Sequence, residues 1–217
     1  MIAFSHYDIT LLLQAMARTI VLSLGGGILG IVGAVILTAL RLSEMRGMMP
    51  LRVLAVVYVQ TIRRIPFIVT LYIVFFCTGM MGVDVSATAV AIGSIGLIAA
   101  AYLCEILHGG VKTVPVEQVE AALVLNLPLW ARWRYVIGPQ AMSAVVPPAV
   151  GYLVLFIKDT ALASQIGVVE LSQAGVILTN RGLPSSQVFC VVLLLYFAIS
   201  YPLTCLSRLL EKRIAVH

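Results

Sequence analysis

Residues 100–141 read AAYLCEILHGGVKTVPVEQVEAALVLNLPLWARWRYVIGPQA, and the reading of this stretch decides the fold. It opens in one long apolar segment and closes in another. Between them lies a connection far too long for a plain turn. Residues 115–127 predict a short helix there. Pro115 suits a first turn, where its missing N–H costs nothing, and Glu117 favours the positive end of the helix dipole. On a 3.6-residue wheel Val116, Val119, Leu123 and Leu127 form one face, with Glu120 among them. Ala121, Ala122 and Leu125 lie towards the other face, with Gln118. A helix apolar on nearly every side needs cover, and this one is too short to cross a bilayer. Either it packs on its own protein or it docks a second one. The small Ala121 and Ala122 would let another surface approach closely.

The rest of the chain says which solvent surrounds this helix. The 217 residues are 61% hydrophobic and only 11% charged, with a mean hydropathy of +1.08. A soluble domain of this size has no use for so much apolar surface, so the bilayer is the natural solvent. Five apolar stretches predict five crossings in one all-α domain spanning residues 1–217, with its core at about 16–207. Residues 1–18 are mixed and suit the outer interface. Residues 20–40 are uncharged and about the ~20 residues that a crossing requires. Their Gly25, Gly26, Gly27, Gly30 and Gly33 predict close helix approach, with Gly26 and Gly30 one GxxxG step apart. A phosphate-cradling loop would need a preceding strand and a following Lys-Ser/Thr, and has neither.

Residues 41–52 hold Arg41, Glu44, Arg46 and Arg52, with Gly47 and Pro50 to break the helix, and read as a short cytoplasmic loop. The second crossing, within residues 51–81, is interrupted by Arg63, Arg64 and Pro66. The arginine pair either marks the inner membrane boundary or faces a polar path inside the bundle, because a lipid-facing arginine is costly. The third crossing covers residues 85–104, with Glu105 and His108 on one helix face at its inner end. Two ligands do not make a metal site. A connecting loop of about 109–141 follows, ending near Trp130, Arg132, Trp133 and Arg134, a mixture typical of a membrane interface. The fourth crossing, 135–157, carries Pro139, Pro147 and Pro148, which suit a helix packed on protein or a wet cavity. Lys158, Asp159 and Thr160 stand at its edge. Residues 161–181 are too polar to cross and predict short helices at the outer surface. Residues 183–207 form the fifth crossing, and the tail with Arg208, Lys212 and Arg213 is basic. Cys77, Cys104, Cys190 and Cys205 lack motif spacing and are expected to be free and buried. No cleavable signal peptide is expected, since the N-terminus carries His6 and Asp8 rather than a basic run.

Lysine and arginine concentrate in residues 41–52, in the long connection and in the tail. The positive side is cytoplasmic, which predicts an external N-terminus and a cytoplasmic C-terminus. The short helix then lies in the cytoplasm.

EAALVLN followed by YVIGPQA resembles the EAA loop of ABC-transporter permeases, in particular those of the polar-amino-acid importers. That family's pattern is EAA, three residues, Gly, nine residues, then Ile-x-Leu-Pro. Glu120, Ala121, Ala122 and Pro139 match it; Asn126 replaces the Gly, Val136 the Ile and Gly138 the Leu. Asn is the next most tolerated residue where the Gly ends a helix in the left-handed region. VQTIRRIPFIVTLY resembles the family's Arg-Gly-Thr-Pro segment through Arg63 and Pro66. AAYLCEILHGG resembles Ala-Tyr-x-x-Glu followed by Arg-Gly-Gly, with His108 in the Arg position. Lys158, Asp159, Thr160 and Leu162 resemble Lys-Asp-Thr-Ser-Leu.

The resemblance covers nearly the whole chain. It implies the membrane subunit of an ATP-driven importer of a polar amino acid or related small solute in the inner membrane. It further implies an ATPase dimer on the cytoplasmic side that carries ATP and Mg, a second permease chain, identical or related, and an external substrate-binding protein. Glu120, Ala121, Ala122, Asn126 and Pro139 would couple to the ATPase. Arg63, Glu105, Lys158, Asp159 and Thr160 would lie near the path or gate. No catalytic residue, metal, cofactor or nucleic acid is expected on this chain. An intramembrane enzyme would need a nucleophile–base pair or a metal set, and neither Gly-x-Ser-x-Gly nor His-Glu-x-x-His occurs. An ion-coupled secondary carrier is the rival class. It usually shows an internal repeat, absent here, and has no need of a cytoplasmic docking helix.

Overall fold

The computed structural model describes residues 4–43 and 45–214, with only the backbone for Arg46 and residues 210–214. Glu44, His217 and the side chains of Lys212 and Arg213, on which parts of the loop and tail readings rest, lie outside the described set. Helix α1, His6–Leu42, is longer than the predicted crossing. At ~1.5 Å per residue it is about 55 Å long, against a hydrocarbon core of ~30 Å. It starts earlier because Ser5 and Asp8 form a capping box, each side chain bonded to the other's backbone N–H.

Helix α1 packs chiefly on α4, Ala87–Lys112. The glycines make this possible. A methyl group at Gly26 would collide with Ile95, and one at Gly30 with Ala99. The backbones therefore approach as closely as the GxxxG spacing predicts. Leu22, Ala34, Ala91, Ile95, Ala99 and Phe156 are completely or almost completely buried in the same core.

The second crossing is two helices, α2, Met49–Ile62, and α3, Phe67–Met80. They meet at 116° across a four-residue break. Pro66 at the start of α3 has no N–H to continue the α2 ladder, so the chain turns there. Among the described residues four helical stretches are long and apolar enough to cross a membrane, and the bent pair raises the number to five.

The long connection holds α5, Val116–Val124. Because α4 continues to Lys112, Glu105 and His108 sit within that helix rather than beyond its end. After α5 come a short α6, Leu129–Ala131, a π-helical turn, Arg132–Ile137, and α7, Gly138–Asp159. The wider π turn suits Pro139, whose ring would crowd the preceding turn of a regular α-helix. Pro147 and Pro148 lie inside α7 without interrupting it.

A 3₁₀ segment, Thr160–Ile166, leads through left-handed Gly167 to α8, Leu171–Asn180, and then to α9, Ser185–Ile214. The region after residue 160 forms the short helices expected of it, and they are packed rather than solvated: Leu171, Ala174 and Leu178 are fully buried with Leu12 and Ala15 of α1 and Val188 and Val192 of α9. Arg181 pairs with Asp8 of α1, and Gln165 stays exposed. The cysteines also divide: Cys104 is buried, Cys205 is partly buried, and Cys77 and Cys190 are exposed on apolar faces.

Candidate functional site

Two places are candidates for function. The first is where the end of α1, the α2–α3 bend and α4 converge. Glu105 Oε2 lies 2.8 Å from Arg41 Nη1 and 3.5 Å from Arg63 Nη1. Arg41 is 8% exposed, and its guanidinium also reaches Cys104 Sγ at 3.7 Å. Such a charge is tolerable in an apolar bundle only with a partner. The Arg63 guanidinium stacks over the Tyr102 ring at 5.4 Å, and the Tyr102 hydroxyl donates to the Arg63 carbonyl at 3.1 Å. Tyr102 stacks in turn on Tyr152, which meets Phe156 edge-on. The two arginines therefore behave differently. Arg63 faces the bundle, while Arg64 is exposed and reaches only Gln60, at 3.5 Å.

Arg63 and Glu105 are thus brought together. Arg41, assigned to a loop from sequence, belongs with them because α1 stays helical through Leu42. Glu105 is occupied by guanidiniums, and the Nδ1 of His108 is buried without a hydrogen-bond partner. Lys158, Asp159 and Thr160 share no salt bridge or hydrogen bond with this cluster among the described residues. Lys158 is exposed, Asp159 half-buried, and Thr160 fully buried with its hydroxyl donating to the Ile157 carbonyl at 2.7 Å.

Sequence reasoning missed Glu170. It is fully buried, and its side chain caps α8 by accepting from the N–H groups of Ser172 at 2.9 Å and Gln173 at 2.8 Å. The Tyr196 hydroxyl donates to it at 2.6 Å. Burial pushes its carboxyl above the usual range, and the three donors only partly offset that. A lone carboxylate just before an apolar run is the cap signal that was available. A second polar tie, Arg181 to Asp8 at 2.9 Å with Arg181 over the Tyr7 ring, holds the end of α8 to the start of α1.

The second place is α5. It stops at Val124, short of the predicted Leu127, in the left-handed turn expected at Asn126. Asn126 has φ of 55°, the N–H of Asn126 bonds to the Leu123 carbonyl, and that of Leu127 to the Ala122 carbonyl. This is a Schellman stop with Asn where glycine is usual. Gln140 of α7 donates to Gln118 at 2.6 Å and ties α5 to the bundle. Of the two alternatives, packing on its own protein and docking a second one, the first accounts for little of the helix surface. Val116, Leu123, Val124 and Leu125 are exposed, as are Glu120 and Ala121. Ala122 is the exception at 3% exposure, so it faces its own protein. The expectation that Ala121 and Ala122 together form an outward surface is corrected: only Ala121 points outward. Pro139 is exposed at the start of α7.

Residues 26–216 match the profile of the family described as binding-protein-dependent transport system inner membrane component. The probable glutamine ABC transporter permease protein GlnP of Bacillus subtilis is 33% identical over 163 residues, 74% of this chain and 75% of that one. The L-cystine transport system permease protein TcyB of the same organism is 32% identical over 197 residues, 90% of this chain and 83% of its own. In three dimensions the chain resembles a crystal structure of an amino acid ABC transporter with histidines, with TM-score 0.85, 21% identity, and coverage of 98% of this chain and 100% of that one. It also resembles the inward-facing MetNI methionine ABC transporter, with TM-score 0.75, 21% identity, and coverage of 97% and 99%. The chain belongs to the binding-protein-dependent transport system inner membrane components and is a membrane-spanning ABC-importer permease, a class that works with ATPase and permease partners.

Proposed function

We propose that this permease passes a polar amino acid across the inner membrane, driven by an ATPase dimer that docks on α5. The uncovered apolar face of α5 carries the proposal. Val124 and Leu125, both largely exposed, sit on a helix with Ala121 and Glu120 pointing outward. An exposed apolar patch of this kind suits a protein partner. In this reading Glu120, Ala121 and the neighbouring apolar residues meet the ATPase. Ala122, Asn126 and Pro139 hold the helix in position. ATP and Mg belong to the partner, and this chain carries no nucleotide site or enzymatic activity of its own. The N-terminus is external, the C-terminus cytoplasmic, and a substrate-binding protein delivers solute from outside. A second permease chain, identical or related, completes the path.

The relatives named for glutamine and L-cystine transport support a polar amino acid as the solute. Arg63 and Glu105 then lie along the path, and Lys158, Asp159 and Thr160 near its gate. The test is uptake of labelled glutamine and cystine into proteoliposomes holding the permease, its ATPase and its binding protein. Accumulation that requires ATP is expected. Accumulation driven by an ion gradient without ATP would overturn the reading.

A further inference from the structure

At the end of the bundle that carries α5, a groove of about 750 Å³ runs between the last turns of α1 and α4 and the start of the π-helical segment. Its walls include Val35 and Ala39 from α1, Leu107 and Val111 from α4, and Leu129. In each helix the two residues stand one turn apart, so the walls form parallel apolar rails. Arg132 is the one charged residue among those described in the lining, and it stands beside Trp133. Arg132 is half-buried in the groove wall.

We propose that this groove binds an anionic phospholipid, with an acyl chain between the rails and the phosphate at Arg132. Arg132 is the charged group of a groove whose rails are aliphatic, and a phosphate oxygen is a strong acceptor for a guanidinium there. Water could bond the guanidinium too, and the hydroxyls of Thr38 and Ser43 also line the groove, but water gains nothing along the two aliphatic rails, where an acyl chain does. The tryptophan fits the same occupant, because indole rings favour the headgroup level of a bilayer. Basic pockets between helices on the cytoplasmic side suit anionic headgroups, which are concentrated in that leaflet. The choice of leaflet rests on the orientation proposed above; the groove and its arginine do not.

The test is native mass spectrometry of the full chain, alone and assembled with its ATPase, after equilibration with equimolar phosphatidylglycerol and phosphatidylcholine. Phosphatidylglycerol should be retained about fivefold better, the preference expected of one basic residue near an anionic headgroup. Arg132→Gln should abolish the preference. Arg134→Gln should leave it intact, since Arg134 is exposed and lies over the Tyr135 ring. Ala39→Trp fills the space between the rails without touching charge, and should reduce retention of both lipids. This arm decides the matter if Arg132→Gln does not assemble. Equal retention of the two lipids, equal loss of preference in Arg134→Gln, or unchanged retention in Ala39→Trp would overturn the proposal. Release of the lipid when the ATPase binds would overturn it too, assigning the groove to the ATPase. None of these outcomes bears on whether ATP drives uptake, so the lipid site and the transport reading fail separately.

Discussion

Arg41 Nη1 and Glu105 Oε2 stand 2.8 Å apart, joining the last turn of α1 to the last third of α4, and Arg63 approaches the same carboxylate oxygen at 3.5 Å. Two cations share one anion in a largely apolar setting. Removing the anion should therefore be worse than removing the outer cation. Glu105→Ala is expected to destabilise the protein by ~3 kcal/mol, the lower end for a buried pair, because Glu105 remains partly exposed. Arg63→Gln should cost less than ~1 kcal/mol in stability, in keeping with a partly exposed pair, yet still reduce uptake. Thermal unfolding in detergent, set beside uptake in proteoliposomes, separates the two effects. Equal unfolding midpoints for Glu105→Ala and the unaltered protein would show that the pair is dispensable for folding.

The outward residues of α5 should decide ATPase binding. Burying a Val or Leu side chain contributes ~1.5–3 kcal/mol, and ~1.4 kcal/mol is a tenfold change in affinity. Val124→Asp and Leu125→Asp should therefore each weaken the ATPase complex tenfold or more without affecting membrane insertion. Glu120→Ala should act in the same direction. Ala122→Trp should behave differently and disturb α5 itself, because that side chain is buried against its own chain. Pull-down of the ATPase, with proteolysis of the loop as a folding control, distinguishes the cases. Full retention of the ATPase by both aspartate variants would remove α5 from the interface.

The helix stop offers a cleaner backbone test. Asn126 has φ of 55°, where a β-branched residue is strained. Asn126→Val is expected to cost roughly 1–2 kcal/mol locally, and Asn126→Gly should be tolerated. Protease cleavage within residues 125–128 reports it. Similar cleavage of the two variants would mean that the turn does not set the position of α5.

Glu170 predicts a dependence on pH. It lies outside the candidate spans, and burial raises its folded-state pKa above the ordinary value of 4.5. The folded state thus holds the proton more tightly than the unfolded state does. Its contribution to stability is full below that ordinary value and is lost as pH rises through the folded value. The unaltered protein should lose stability over this window relative to Glu170→Gln, which does not titrate. A difference in unfolding midpoint that stays flat as pH rises from 4.5 would contradict the assignment.

Topology can be read directly. A reporter fused after His217 should be cytoplasmic, and one inserted beside Asp84, in the exposed turn between α3 and α4, should be external. The reverse pattern would place α5 on the wrong side for an ATPase.

What the sequence revealed followed from local rules. The glycine run announced a close helix approach, though not that α4 is the partner, and Asn126 announced the turn that ends α5, because spacing and backbone preference are both written within a few residues. The pairing of Arg41 with Glu105 was hidden, since it joins residues 64 positions apart and helix α1 ran further than its uncharged core. Pro66 signalled a break but could not give its angle. Ala122 looked equivalent to Ala121 until the helix acquired an orientation, and Glu170 looked like surface polarity until its three donors were seen.

Gly26 and Gly30 have a mechanical consequence. With Ile95 and Ala99 filling the space where side chains would stand, α1 and α4 cannot slide past one another without steric collision. They form a spine. The α2–α3 elbow packs on that spine through the fully buried Val59 and Leu71, and its ends add separable polar contacts, the Tyr58 hydroxyl on the Leu97 carbonyl, the Tyr102 hydroxyl on the Arg63 carbonyl, and the Arg63–Glu105 pair. Such contacts can break and reform one by one, whereas interlocked backbones cannot. The chain is therefore built as a stiff mast with a jointed arm, and the joint lies at residues 63–66.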